Sequence, residues 1–260
     1  MTSPDTRAPR NTFKAALKSG TVQIGFWQAL TSTETVEISA HAGFDWLVLD
    51  GEHAPNDMAM IRDQLRATVG GTAHPVVRTV ASEDWMIKQV LDIGAQTILV
   101  PMVETAEQAA GIAAAARYAP AGKRGVGAAL ARAAKFGLLS DYIANANDEV
   151  CVIVQVESVR GVENLDAILA VEGIDGVFIG PADLAADMGF PGRPTTPEVR
   201  NVVRETTRRI VAAGRAAGLL LGDATHVAEA REDGATFIAV GHDVGVFRTG
   251  ATALAKAYKG

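Results

Sequence analysis

The sequence predicts a (β/α)8 TIM barrel that forms a single domain of the α/β class. Eight short apolar runs alternate with stretches of helical periodicity, as in a sheet whose strands are separated by helices. Several runs, such as Trp46–Leu49, are apolar without alternation, which is typical of parallel strands covered on both faces. No break in composition divides residues 11–260, and the polar residues 1–10 are predicted to be an N-terminal arm.

The eight runs give the predicted strands in chain order. They are Val22–Trp27, Trp46–Asp50, Pro75–Arg78, Thr97–Met102, Val150–Glu157, Gly176–Gly180, Leu219–Gly222 and Phe237–Gly241. The competing architecture is a doubly wound open sheet, which usually has a glycine-rich loop after its first strand. The residues after the first run are Gln28-Ala29-Leu30, so the sequence favours the barrel.

The helices between the strands have recognisable start and stop signals. Thr196-Pro197-Glu198 combines an N-cap residue, a proline at the first helical position and an acid in the first turn. Glycines that precede strands are expected to end helices in the left-handed conformation; they are Gly43, Gly94, Gly173 and Gly234. Two segments exceed the minimal unit: 122–148, which contains a second short helix, and 190–194, which is predicted to be a loop.

Composition and charge exclude several classes of function. A net charge of −6 argues against a nucleic-acid-binding surface. The single cysteine, Cys151, excludes a disulfide framework and a zinc site built from several thiolates. No apolar run reaches the roughly 18 residues that a membrane span needs, and Met1–Arg10 lacks the apolar stretch of a secretory signal. We therefore expect a cytoplasmic protein without nucleic-acid or membrane partners.

Ionisable residues gather at the carboxyl ends of the predicted strands, where barrels carry their chemistry. Glu157 and Asp183 follow two neighbouring strands, and two carboxylates facing one cavity would repel each other unless a cation lies between them. A hard divalent ion with oxygen ligands suits such a pair. The alternative is that Glu157 pairs with Arg78 or Arg160 and Asp183 caps a helix. Spacing alone leaves both interpretations open.

Two further residues at the strand ends could take part in catalysis. His53 ends Asp50-Gly51-Glu52-His53, where a neighbouring carboxylate could orient its ring for general acid–base work near neutral pH; alternatively it is a surface loop histidine. Arg78 ends the third predicted strand and suits a substrate carboxylate or a developing oxyanion. Its alternative role is to neutralise Asp50 or Glu157.

Lysine is missing from the strand ends, which disfavours a Schiff-base mechanism. The lysines lie in predicted helices, in the tails or in the segment 122–148. A Schiff-base enzyme needs a desolvated lysine inside the barrel, so we expect no such lysine here. Single glycines after strands are weak indicators of a phosphate site, and no nucleotide cofactor is expected.

Taken together, these motifs resemble the HpcH/HpaI family of class II, metal-dependent pyruvate aldolases over nearly the whole chain. The segments that carry the resemblance are Gln23–Trp27, Gly43–Trp46, Asp50–Asn56, Pro75–Arg78, Leu99–Met102, Arg117-Tyr118, Pro120–Gly127, Gln155–Glu157 and Gly176–Leu184. Each segment alone is weak, but their combination is specific. We therefore expect the aldolase fold and chemistry of this family.

The resemblance implies roles for individual residues. Glu157 and Asp183 look like the protein ligands of Mg²⁺, Mn²⁺ or Co²⁺, which pyruvate would chelate. Arg78 looks like the stabiliser of the enolate oxygen, and His53, oriented by Asp50, looks like the acid–base group. The resemblance further places Gln155 and the amides of Ala182 and Asp183 beside bound pyruvate. The aldehyde pocket would be lined by Trp27, Val126 and Leu220.

The resemblance also implies the reaction and the assembly. The expected activity is reversible cleavage of 4-hydroxy-2-oxo acids to pyruvate, or a close 2-oxo acid, and an aldehyde through a metal-bound enolate. The family assembles as hexamers, so Val244–Tyr258 is expected to pack on a neighbouring subunit. One alternative is a malyl- or citramalyl-CoA-type thioester lyase, for which Lys123-Arg124 could contact the coenzyme. Another is a barrel that binds oxoacids without catalysis.

Overall fold

A computed structural model describes residues 6–259 of the chain. Its eight parallel strands form a closed barrel in which each strand pairs with its neighbours in chain order, and the last strand pairs with the first. The strands are β1 Gln23–Gln28, β2 Trp46–Asp50, β3 His74–Arg78, β4 Thr97–Val100, β5 Cys151–Val156, β6 Gly176–Ile179, β7 Ala216–Leu220 and β8 Phe237–His242. The predicted (β/α)8 barrel is therefore confirmed.

Helices surround the barrel and follow the strands. They are α1 Thr12–Lys18, α2 Thr33–Ala40, α3 Met58–Ala67, α4 Asp84–Asp92, α5 Ala106–Ala115, α6 Tyr142–Glu149, α7 Val159–Glu163, α8 Leu165–Leu169, α9 Pro181–Asp187, α10 Pro197–Ala212, α11 Ala224–Glu232 and α12 Asp243–Lys259, with a 3₁₀ turn at Arg132–Ala134. The four predicted helix-ending glycines all have positive φ, from 90° at Gly173 to 110° at Gly94. Thr196 is the N-cap of α10 and Pro197 its first residue, as predicted.

All predicted strands except one agree with the structure to within two residues at each end. The exception is β7, which the sequence predicts at Leu219–Gly222. It begins at Ala216 instead of Leu219, because Ala216-Ala217-Gly218 has little of the β-branched character by which strands are recognised. Small residues are needed there: a Cβ on Gly218 would overlap the ring of Phe237 inside the barrel. Steric fit to the neighbouring strand outweighs strand propensity at this position.

Two apolar layers hold the barrel together. Leu47, Val77, Ile98 and many other buried side chains form the layer between the strands and the surrounding helices. A second cluster fills the barrel interior, and in it the ring of Phe13 on α1 packs 5.6 Å from Trp46. Helix α1 therefore closes the amino-terminal end of the barrel, and the carboxyl-terminal end is the open one.

Three segments lie outside the minimal barrel. Residues 122–148 contain the 3₁₀ turn and most of α6, so the predicted short helix is confirmed, and residues 190–194 form a loop. Of the predicted N-terminal arm, residues 1–5 lie outside the described part of the chain.

Helix α12 is exposed continuously from Val246 to Lys259. Among residues 6–259, no helix has both the length and the apolar composition to cross a membrane.

Candidate active site

A cavity of about 630 Å³ lies at the carboxyl-terminal end of the barrel. Most of the residues singled out from the sequence line it. They are Trp27, His53, Arg78, Gln155, Glu157, Ala182, Asp183 and Leu220, and Phe178 and Gly180 lie among them. The prediction that the strand ends converge on one mouth is therefore correct for these residues.

A buried ion pair joins β2 and β3 at the cavity wall. Asp50 and Arg78 are direct neighbours across the two strands, and Arg78 Nε and Nη2 donate to the two oxygens of Asp50 at 2.9 and 2.7 Å. Trp27 Nε1 donates to the same carboxylate at 3.1 Å, and the guanidinium lies 4.8 Å from the Trp27 ring centroid. Burial alone would raise the pKa of Asp50, but the hydrogen bonds and charge of Arg78 outweigh burial and lower that pKa.

The loop after β2 folds back over this pair and carries His53. Arg78 Nη1 lies 2.8 Å from Glu52 Oε2, and His53 Nε2 lies 3.9 Å from the same oxygen. Asp50 contacts His53 through the main-chain N–H of that residue, at 3.3 Å. Orientation of His53 by Asp50 is therefore indirect, and Glu52 is the carboxylate beside the imidazole. Burial raises the pKa of Glu52, as does the nearby charge of Glu157, although Arg78 opposes both.

Glu157 is buried and held by two hydrogen bonds. Its Oε1 accepts from the main-chain N–H of Met102 at 2.9 Å, and its Oε2 accepts from the side-chain amide of Gln155. Glu157 makes no ion pair with Arg78 or Arg160; the latter lies 3.5 Å from Glu104 instead. Burial raises the pKa of Glu157, and the negative charge of Asp183 raises it further. A cation between the two carboxylates would remove both costs.

Asp183 lies in the first turn of α9, directly after β6. Gly180 is the N-cap of this helix, and no side chain caps it, so the alternative role of Asp183 as a capping residue is not seen. The first helical hydrogen bond runs from Leu184 N to Gly180 O. The amides of Ala182 and Asp183 therefore precede the bonded part of the helix and are available to an anion.

Two predicted pocket residues line the cavity and one does not. Trp27 and Leu220 pack together with Phe178 at the top of the barrel interior. Val126 lies in the segment 122–148 with 69% of its surface exposed, and it is not part of the cavity wall. A contribution of Val126 to an aldehyde pocket stays a prediction and would require a neighbouring subunit.

The donor set at this mouth fits a hard divalent ion. In addition to the two carboxylates, the side-chain oxygen of Gln155 is buried without a hydrogen-bond partner. A Cβ on Gly180 would overlap the carboxylate of Glu157, so the glycine leaves that group open. Residues 6–259 contain no group of three or more His, Cys, Asp or Glu side chains arranged for a metal. Water and substrate would have to complete the shell, as is usual for Mg²⁺.

Two groups lie at the site although no sequence motif singles them out: the Glu52 carboxylate and the main-chain N–H of Met102. Glu52 is next to His53 in the sequence, and the glycine before it brings Glu52 close to Arg78. A Cβ on Gly51 would lie 2.6 Å from the carbonyl oxygen of Arg78 and would prevent the tight turn of the chain. The Met102 N–H carries no sequence signal, because any residue other than proline supplies one.

The open end of the parallel barrel brings a carboxylate pair, a buried arginine and a histidine to one cavity. The family model for HpcH/HpaI aldolase/citrate lyase matches residues 23–250, and the chain belongs to this family. The resemblance stated from the sequence is confirmed.

Individual relatives are similar over almost their whole length. A hydroxypyruvate/pyruvate aldolase of Agrobacterium fabrum is 53% identical over 97% of this chain and 95% of its own. A 4-hydroxy-2-oxo-heptane-1,7-dioate aldolase of Salmonella dublin is 50% identical over 95% and 94%. The crystal structure of a family member from Burkholderia cenocepacia superposes with a TM-score of 0.90 at 40% identity, covering 95% of this chain and 99% of the other. The protein is thus a carbon–carbon lyase of the pyruvate-aldolase type.

Proposed function

We propose that this aldolase uses a divalent metal ion, Mg²⁺, Mn²⁺ or Co²⁺, to cleave 4-hydroxy-2-oxo acids reversibly into pyruvate, or a close 2-oxo acid, and an aldehyde. The observation that carries the proposal is the pair of carboxylates, Glu157 and Asp183, facing one cavity beside Arg78. These two residues would hold the ion. When bound, the metal supplies Lewis-acid stabilisation of negative charge, worth several kcal/mol in such enzymes.

The residues of the chain divide the remaining work. Cleavage of the C3–C4 bond leaves an enolate on the pyruvyl fragment, and Arg78 can stabilise its oxygen because the hydrogen bonds to Asp50 use only two of the five guanidinium N–H groups. His53 would take the proton of the C4 hydroxyl as the aldehyde leaves. With 68% of its side chain exposed, His53 can exchange that proton with solvent.

The substrate carboxylate and the aldehyde would occupy different parts of the cavity. The free amides of Ala182 and Asp183 suit the carboxylate, next to Gln155, and the apolar surfaces of Trp27 and Leu220 suit the aldehyde chain. The two relatives described above are named for different substrates, so we assign this chain the shared 2-oxo acid chemistry rather than one aldehyde. Small apolar differences in such a pocket change selectivity only modestly.

The thioester alternative finds no support in the basic segment. Lys123 Nζ pairs with Asp84 at 2.7 Å, and Arg124 is buried and pairs with Asp92 at 2.6 Å. Arg124 is therefore not available to the phosphates of a coenzyme, which leaves Lys123, in an exposed ion pair, as a single charge. We also propose a homo-oligomer, consistent with a hexamer, because Val246, Phe247, Leu254 and Tyr258 on α12 are all more than 60% exposed. The mass in solution tests that assembly.

Chelation and metal restoration test the proposed reaction. The protein is treated with a chelator, and pyruvate release from free 4-hydroxy-2-oxo acids is compared before treatment, after it, and after each divalent ion is added back. We expect loss of turnover and its recovery with at least one ion, together with ion-dependent exchange of the pyruvate methyl protons in D₂O. Undiminished turnover after complete metal removal would refute the proposal, and turnover of thioesters alone would favour the alternative.

A further inference from the structure

The loop between β4 and α5 is strained where it meets the candidate active site. Met102 has φ +56°, a left-handed conformation that residues with a Cβ seldom adopt. Its side chain is 52% exposed, so packing does not explain the conformation. Its main-chain N–H, however, is the donor to Glu157 Oε1. Such strain persists where surrounding contacts enforce it, and it is common at functional sites.

Four hydrogen bonds, which we call the β4–β5 clamp, enforce this conformation. The first is the bond from Met102 N to Glu157 at 2.9 Å, and the second runs from Val103 N to Gln155 O at 3.0 Å. The third runs from Ser158 Oγ to Glu104 Oε1 at 2.7 Å, and the fourth from Asn164 Nδ2 to Glu104 O at 2.8 Å. Residues 102–104 are thereby bound to the segment that carries Glu157.

Glu104 takes part in both outer bonds of the clamp: its side chain accepts from Ser158, and its main-chain oxygen accepts from Asn164. Ser158 is the residue next to Glu157. Its hydroxyl oxygen accepts a hydrogen bond from Gly161 N at 3.0 Å, and the hydroxyl group donates a hydrogen bond to Glu104. Ser158 therefore has a fixed direction at the N-cap of α7. Glu104 does not line the cavity, so it cannot touch substrate. Its influence on the site must pass through Ser158 and the 102–104 main chain.

We propose that Glu104 is a positioning residue for Glu157: through the β4–β5 clamp it holds the Met102 N–H against the Glu157 carboxylate and aims that carboxylate into the cavity. The inference rests on the proposed metal-binding role of Glu157. Groups that orient a metal ligand from outside the coordination shell typically affect affinity by about 10–100-fold when removed.

Manganese binding measures this role directly. Free Mn²⁺ is titrated with the metal-free protein and followed by electron paramagnetic resonance, which requires no turnover. We expect Glu104→Ala to weaken Mn²⁺ binding about tenfold. Glu104→Gln keeps an oxygen acceptor for Ser158 and should restore binding to within about twofold of the unaltered protein. Asn164→Ala, which removes a different bond of the clamp, should weaken binding in the same direction.

Three comparisons separate positioning from other effects. Glu107→Ala removes an equal charge from an exposed position on α5 and should leave Mn²⁺ binding unchanged. Unchanged affinity in Glu104→Ala, or equal weakening in Glu104→Gln, would overturn the inference even if Glu157→Gln abolishes binding. If Glu157→Gln binds Mn²⁺ normally, the metal site itself is refuted. Melting temperatures of the metal-free variants show whether any of them has lost the fold.

Discussion

Both ends of the barrel bury polar side chains, but the two ends use them differently. At the amino-terminal end, Asn11 Nδ2 donates to Thr97 Oγ1 at 3.0 Å, and Thr97 in turn contacts His74 at 2.8 Å. Lys14 Nζ donates to two main-chain carbonyls and lies 3.6 Å from Asp175. Helix α1 seals this end, and the fold itself satisfies Asn11, Lys14 and His74.

At the open end, bonding capacity is left over. Asp183 has no ion pair or hydrogen-bonded side-chain partner within residues 6–259, and the Gln155 oxygen is buried without a partner. The cost of such groups is normally avoided in folded proteins. Their presence around a cavity indicates a site whose partners arrive with the ligand, whereas the matched groups at the closed end contribute to stability.

Exchanging carboxylates for amides at the open end, and a lysine for methionine at the closed end, should separate activity from stability. Glu157→Gln and Asp183→Asn should each lower kcat by more than about 10³-fold, since several kcal/mol of charge stabilisation is lost. Burial of the charged Glu157 is costly, as its raised pKa indicates. Glu157→Gln removes that cost and also one of the two hydrogen bonds that the carboxylate accepts, so the free energy of unfolding near pH 7 should change little.

Lys14→Met should have the opposite pattern. It leaves Asp175 without its cation and two carbonyls without a donor, and breaking a buried pair costs about 3–5 kcal/mol. The folded fraction should keep the kcat of the unaltered enzyme. Urea unfolding and steady-state kinetics on all three variants make the comparison; a stable, active Lys14→Met protein would contradict the distinction between the two ends.

His53→Ala should have the next largest effect, because it removes a proton acceptor without disturbing the buried ion pair beneath it. General acid–base catalysis contributes about 10²–10⁴-fold, so kcat for cleavage should fall within that range. The dissociation constant of pyruvate should change far less, since the ring makes no hydrogen bond to the rest of residues 6–259. Equal loss of binding and turnover would mean that His53 holds substrate instead of moving a proton.

The sequence predicted the barrel well because its determinants are local and repeated. Apolar runs, helix caps and glycine-ended helices each report a nearby segment, and parallel strands bring their carboxyl ends together without further information. Asp50, Arg78, Glu157 and Asp183 could therefore be placed at one mouth before any distance was known.

Details that depend on side-chain direction could not be predicted in this way. Asp50 and Glu52 are two residues apart, and only the fold shows that Arg78 engages Asp50 with two nitrogens while Glu52 faces His53. Val126 lies in the segment 122–148 and outside the cavity of its own barrel. A contribution of Val126 to the aldehyde pocket would depend on assembly, which one chain does not specify.

The smallest expected effect is a change in acid stability arising from His74 at the closed end. Burial lowers the pKa of His74 to about 4, from about 6.5 in the unfolded chain. Between these values the unfolded chain binds more protons, so the free energy of unfolding falls as pH drops from 6.5 to 4, by up to about 3 kcal/mol. Carboxyl groups titrate in the same range, so the histidine contribution must be isolated by comparing variants.

His74→Gln cannot titrate, so its free energy of unfolding, measured with urea, should decline less steeply as the pH falls. His41→Gln, at an exposed position after α2, should follow the unaltered protein. Identical pH profiles for both variants would place the acid sensitivity elsewhere and would remove His74 from the set of groups that make the closed end a stabilising one.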